Sequence, residues 1–211
     1  MRLQKLRGYG PWLAYASALC LALAIVCMMT SLLTFTPPQK PGAAFAVLWI
    51  FTVIFASLWM VTMLAVAVDL EWIEHPLTHT GMTYVALGGA AVATVALVLL
   101  IASSLANIPN GLAAFLGLCF AGGIGVYLVI IDLVGRQAHV ISSPLAWVGV
   151  VDGILFLVGA LLVILGFAPA IALPLVIAIP LYLVWSIWLG FQLRKTVPSA
   201  AAAAPAAGAS A

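Results

Sequence analysis

Residues 145–167 read LAWVGVVDGILFLVGALLVILGF, an unbroken apolar stretch in which Asp152 is the only charge. About 20 apolar residues wound as a helix cross the hydrocarbon core of a bilayer. A barrel strand would be shorter and would alternate apolar with polar residues, and that alternation is absent. A helix is therefore expected, because lipid offers no partner to an open backbone group.

Five comparable stretches surround this one. The apolar runs predict spans over residues 12–35, 43–68, 84–106, 111–134 and 171–193, with 145–167 as the fifth of six. The breaks between them carry helix stops and turn residues. Thr36-Pro37-Pro38-Gln39-Lys40-Pro41-Gly42 follows the first span, Asn107-Ile108-Pro109-Asn110 the third, and Ser142-Ser143-Pro144 precedes the fifth. The link around Ala168-Pro169-Ala170 is so short that the last two spans form a tight hairpin. Hydrophobic residues make up 66% of the chain and charged residues 6%, against about 25% charged in a soluble domain. Five acids and seven bases cannot cover the surface of a soluble chain of 211 residues, so lipid is the expected solvent. The fold class expected is all-α: a polytopic membrane helix bundle of six transmembrane helices over residues 1–195. Residues 196–211 form an Ala/Pro-rich tail without charge, for which disorder is the expectation.

Arg2, Lys5 and Arg7 before an apolar run mimic a secretory signal. The run to Phe35 is too long for a signal core of about 7–15 residues, so it reads as a retained first span. With residue 1 placed in the cytoplasm, Arg2, Lys5, Arg7, Arg136, Arg194 and Lys195 fall inside and Lys40 alone falls outside. This bias predicts an N-in, C-in protein of a bacterial-type inner (plasma) membrane. Tyr9, Trp12, Trp72, Tyr84, Trp147, Trp185 and Trp188 fall near the same interface, as an aromatic belt would. All five acids and all three histidines also fall at or near that side, which leaves the outer half of the bundle almost without ionisable groups.

Small residues spaced by four let membrane helices approach closely. Gly117, Ala121 and Gly125 form such a ladder on the fourth span, Gly149 and Gly153 a GxxxG on the fifth, and Gly88, Gly89, Ala90 and Ala93 a small-residue patch on the third. These three spans are the expected tight core. Pro180, in the middle of the sixth span, predicts a kink.

Asp152 lies about eight residues into its span, roughly 10 Å below the boundary at 1.5 Å per residue. An acid at the centre of a membrane helix costs on the order of 3 kcal/mol to insert; such a residue faces the bundle interior and marks either a functional site or a structural hydrogen-bond anchor. Asp132 and Arg136 share one helical face at i,i+4 spacing and are expected to pair. Across the hairpin of the fourth and fifth spans, Asp132, Arg136 and Asp152 form one potential polar cluster. Glu71, Glu74, His75 and His79, in the second inner loop, hold oxygen and nitrogen donors of a kind that suits zinc or iron. They form no HExxH, and Pro76 breaks the helix between the two histidines; a solvated acidic loop is the simpler reading.

Cys20, Cys27 and Cys119 form no CxxC pair and lie within apolar runs, which speaks against a disulfide framework. A stacked pair of intramembrane haems is excluded by three histidines near one face, and neither a GxSxG elbow nor a P-loop occurs. A net charge of +2 does not point to nucleic acid. No cofactor is implied.

The last span, Leu181-Tyr182-Leu183-Val184-Trp185-Ser186-Ile187-Trp188-Leu189-Gly190, with the six-span layout and the chain length, resembles bacterial six-span integral membrane proteins of unknown function. That resemblance implies no activity and transfers no site. The scarcity of polar groups favours a non-enzymatic protein in the bilayer, either an accessory or structural subunit of a larger membrane complex or a bundle that associates with itself. The alternatives are a small-solute or proton-linked transporter using Asp152, Asp132, Arg136 and the Pro180 kink, and a metal-dependent membrane enzyme at the loop of Glu71, Glu74, His75 and His79.

Overall fold

Five helices carry the architecture: α1 (Arg2–Thr34), α2 (Thr80–Leu105), α3 (Asn110–Gln137), α4 (Ser143–Ile164) and α5 (Ala172–Thr196). The structure, a computed structural model, describes residues 2–34, 47, 50–52, 54–56, 58–59, 80–105, 110–137, 139, 141–167 and 172–196. The described residues between 47 and 59 are helical too, and no strand occurs among the described residues. Glu71, Glu74, His75 and His79, Trp72, Lys40 and the 197–211 tail lie outside them. Among the described residues, four helices are long and apolar enough to cross a membrane, over Tyr9–Val26, Ala114–Gln137, Ser143–Ile164 and Leu173–Lys195; α2 is apolar over Tyr84–Leu100.

The helix of the first span starts at Arg2 rather than near Trp12. Pro11 sits inside it; its missing N–H leaves the Arg7 carbonyl without the usual partner, but the helix continues through. Pro180 likewise lies inside α5, with its ring exposed. At the end of α4, Gly166 adopts φ +80°. Phe167 N–H donates to the Leu162 carbonyl at 2.9 Å and Gly166 N–H to the Val163 carbonyl at 3.1 Å, the two bonds of a Schellman cap.

α3 packs against both α2 and α4, α4 against α5, and α5 against α1. The closest approaches are backbone on backbone. A Cβ on Gly125 would stand 2.8 Å from the Gly153 carbonyl oxygen, and one on Gly153 would stand 2.9 Å from that of Gly125. Gly89 and Gly123 make the equivalent contact between α2 and α3. Gly117 takes no part in it: a Cβ there meets nothing within 4 Å. Alanines fill much of the rest of the interior, among them Ala86, Ala90, Ala93, Ala121, Ala146, Ala160 and Ala178. The outside is as apolar as the inside. On α5, Leu173, Val176 and Ile177 are 59–74% exposed, an exterior that suits lipid tails rather than water. Since lipid is as apolar as these side chains, close packing rather than hydrophobic burial holds such helices together.

One end of the bundle gathers the basic residues. Ser142 N–H, just before α4, donates to Gln192 Oε1 on α5 at 3.2 Å. Tyr15 of α1 meets Phe191 of α5 edge-on at 5.4 Å between ring centroids. The C-terminal ends of α3 and α5 and the N-terminal ends of α1 and α4 thus lie together, and Arg136, Arg194 and Lys195 are exposed there.

Candidate functional site

Buried polarity is concentrated a short way in from that basic end. Asp132 and Asp152 are both fully buried, as are Tyr127, Tyr182, Trp185, Ser186 and Ser17. Asp152 is nine residues into α4, about 13 Å along the axis. It belongs to the stripe Leu145, Gly149, Asp152, Phe156 and Ala160, spaced by three and four and buried throughout; that spacing holds one helix face against the core. Asp132, near the end of α3, faces the same interior, and the two carboxyl groups interact electrostatically.

Each acid is held differently. Asp132 Oδ1 accepts the indole N–H of Trp185 at 3.0 Å. Asp132 Oδ2, both oxygens of Asp152, the hydroxyls of Tyr127 and Tyr182, Trp59 Nε1 and Ser17 Oγ have no hydrogen-bond partner among the described residues. A buried polar group left without a partner costs about 1–3 kcal/mol, and more when charged. Tyr182 has Asp152, Ser17 and Ser186 beside it, and Tyr127 has Asp132 and Tyr182. Edge-on ring contacts set these side chains: Trp59 on Tyr127 at 5.7 Å, Phe55 on Tyr182 at 6.2 Å, and Tyr182 tilted on Trp185 at 5.8 Å.

Two expectations need correction. Arg136 does not pair with Asp132: its guanidinium lies over the Trp147 ring, 5.2 Å from the centroid, and is exposed. The long side chain reaches outward to the boundary, where a stacked cation stays hydrated, while the shorter Asp132 turns inward. Trp185 is no belt residue either: it is fully buried because its N–H finds an acceptor inside the bundle. Tyr9, Trp12, Tyr84, Trp147 and Trp188 are exposed. Pro180 is exposed on the outside of α5. No group of three or more His, Cys, Asp or Glu side chains with metal-binding geometry occurs among the described residues.

Beyond Tyr182 the bundle opens into a cavity of about 260 Å³. Every helical segment supplies part of its wall: Leu21, Ala24 and Ile25 from α1, Thr52 and Phe55 from the 47–59 segment, Leu97 from α2, Phe120 and Ile124 from α3, Phe156 from α4, and Leu175, Ile179 and Tyr182 from α5. Among the described residues, Thr52 and Tyr182 bring the only hydroxyls to this wall. Phe156 is one helical turn from Asp152, and Tyr182 borders both the cavity and that acid. Such a cavity is invisible to motif reading, since each segment contributes only one to three residues, nearly all of them ordinary apolar ones. Comparison with protein families, with curated proteins and with solved structures finds no match to this chain.

Proposed function

We propose that this chain is a six-span membrane carrier of a small solute, linked to proton movement through Asp152 and Asp132. One observation supports it above the others: two fully buried acids on adjacent helices have no cationic partner among the described residues and stand next to a cavity shared by every helical segment. A carboxyl in such a setting is tolerated with either a proton or a cation beside it. Exchanging one for the other is the elementary step of proton-linked transport. The accessory-subunit reading rests on the scarcity of polar groups. That scarcity is offset by their concentration, since the few that are buried cluster at one level next to open volume.

The gathering of Arg136, Arg194 and Lys195 with the start of α1 at one end supports an N-in, C-in orientation in a bacterial-type inner membrane. Reporter fusions at residue 195 and within residues 36–42 test it; a periplasmic signal at residue 195 overturns it.

The carrier reading is tested in vesicles holding purified protein, given a mixed small-molecule library and an imposed pH gradient, with retained solutes read by mass spectrometry. Wild type is expected to accumulate at least one solute that Asp152→Asn, still folded by circular dichroism and monodisperse, does not. Wild-type vesicles that retain nothing, together with an Asp152→Asn protein that fails to assemble, would make Asp152 a structural anchor instead.

A further inference from the structure

We propose that the occupant of the six-walled cavity is a small lipophilic amine, bound as its ammonium ion with the charged head toward Asp152 and the apolar body among the aromatic rings; this rests on the carrier reading only for the site, not for movement across the membrane. Charge complementarity chooses the head. Arg136, Arg194 and Lys195 are the cationic side chains among those described, and all three are exposed at the basic end. The acids inside therefore have three free acceptor oxygens, and no cation among the described side chains meets them. An anion would meet two carboxyl groups, and a neutral apolar molecule would leave those oxygens as they are. An ammonium group brings both a positive charge and N–H donors, which is what a carboxylate in a low-dielectric interior lacks.

The wall chooses the body. Phe55, Phe120, Phe156 and Tyr182 line the cavity, with Phe120 edge-on to Phe156 at 6.2 Å and Phe55 edge-on to Tyr182 at 6.2 Å. Rings so arranged offer faces to a cation and edges to an apolar ring. A volume of about 260 Å³ falls just under the roughly 300–1,000 Å³ of sites for drug-sized ligands. It therefore fits a single ring with a short chain rather than a larger amphiphile. Tyr182 stands between the two regions, with its ring on the cavity wall and Asp152 beside it. It is the side chain that must rotate for the head to reach the acid.

Calorimetric titration of purified full-length protein in mild detergent tests this with phenethylammonium and with 2-phenylethanol, its uncharged analogue of near-equal size. Wild type is expected to bind the ammonium at least tenfold more tightly than the alcohol. Asp152→Asn is expected to abolish that preference and Asp152→Glu to keep it. Ala24→Phe, which fills the cavity from α1, is expected to weaken both ligands at least tenfold and serves where Asp152→Asn does not fold. Equal affinity for the two ligands in wild type, or a preference that survives in Asp152→Asn, overturns the amine assignment while leaving a solute site in place. Binding of neither ligand also overturns it. Amine binding without any accumulation in vesicles upholds the ligand class and removes the carrier reading instead.

Discussion

Trp185 on α5 donates its indole N–H to Asp132 on α3 across the backbone of Gly149 on α4. Three helices thus meet at one hydrogen bond, and the glycine is what makes room for it. A Cβ at position 149 would fall inside the contact distance of both the Asp132 carboxyl and the indole nitrogen. Gly149→Ala therefore forces the pair apart. Overpacking of this kind costs about 1–3 kcal/mol, read as a lower midpoint in denaturant unfolding with a changed tryptophan emission.

The Trp185–Asp132 bond is expected to show coupling in a double-mutant cycle. Trp185→Phe leaves Oδ1 of a buried acid without its donor, at a cost of about 1–3 kcal/mol. Asp132→Leu removes the acceptor. The double variant should be less destabilised than the two single costs summed, by about 1 kcal/mol or more. Strict additivity would show that the bond contributes nothing to folding.

Glycines on one helix are expected to differ sharply. Gly125→Leu drives a side chain into the Gly153 carbonyl and should separate α3 from α4, with loss of the folded species in detergent. Gly117→Leu enters open space and should stay within about 0.5 kcal/mol of wild type. Thermal stability of the two variants, followed by size-exclusion chromatography, checks this; equal tolerance would mean that α3 and α4 do not meet through Gly125.

Two turns carry opposite predictions. Gly166→Ala puts a Cβ at φ +80° and should cost about 1–2 kcal/mol. His139 is already in the left-handed region, with φ 58°. His139→Gly should remove that strain and, after the added entropy of the unfolded chain, raise stability by at most about 1 kcal/mol. Thermal melts of both variants under one set of detergent conditions give the comparison.

The apolar runs made the helices legible because a lipid-embedded helix needs nothing but length and hydrophobicity. α3, α4 and α5 lie where the runs predict, and the Pro and Gly punctuation lies at their ends. Asp152 was legible as a candidate for a related reason: a lone acid in such a run is either a functional group or a structural hydrogen-bond anchor. The partner of Asp132 was not. Spacing along one helix favoured Arg136, but the acceptor is met by Trp185, 53 positions away, a contact that depends on how α3, α4 and α5 stack. Trp185 itself read as a boundary residue because tryptophan suits both an interface and a buried hydrogen bond. Tyr182 left no signal beyond being aromatic, and its place between acid and cavity comes from how α5 packs with the other helices. Gly117, Ala121 and Gly125 look alike as a ladder, but only the packing of a neighbouring helix decides which rungs touch, and Gly117 faces open space.

The Schellman cap at Gly166 has a consequence for how this chain enters its bilayer. It ends α4, and the interval from Phe167 to Ala172 ties α4 closely to α5 along the chain. The two helices also pack against each other, which favours their entry as a pair. Asp152 on α4 then has Tyr182 beside it on the very next helix, so that a group costly in hydrocarbon need not confront it by itself.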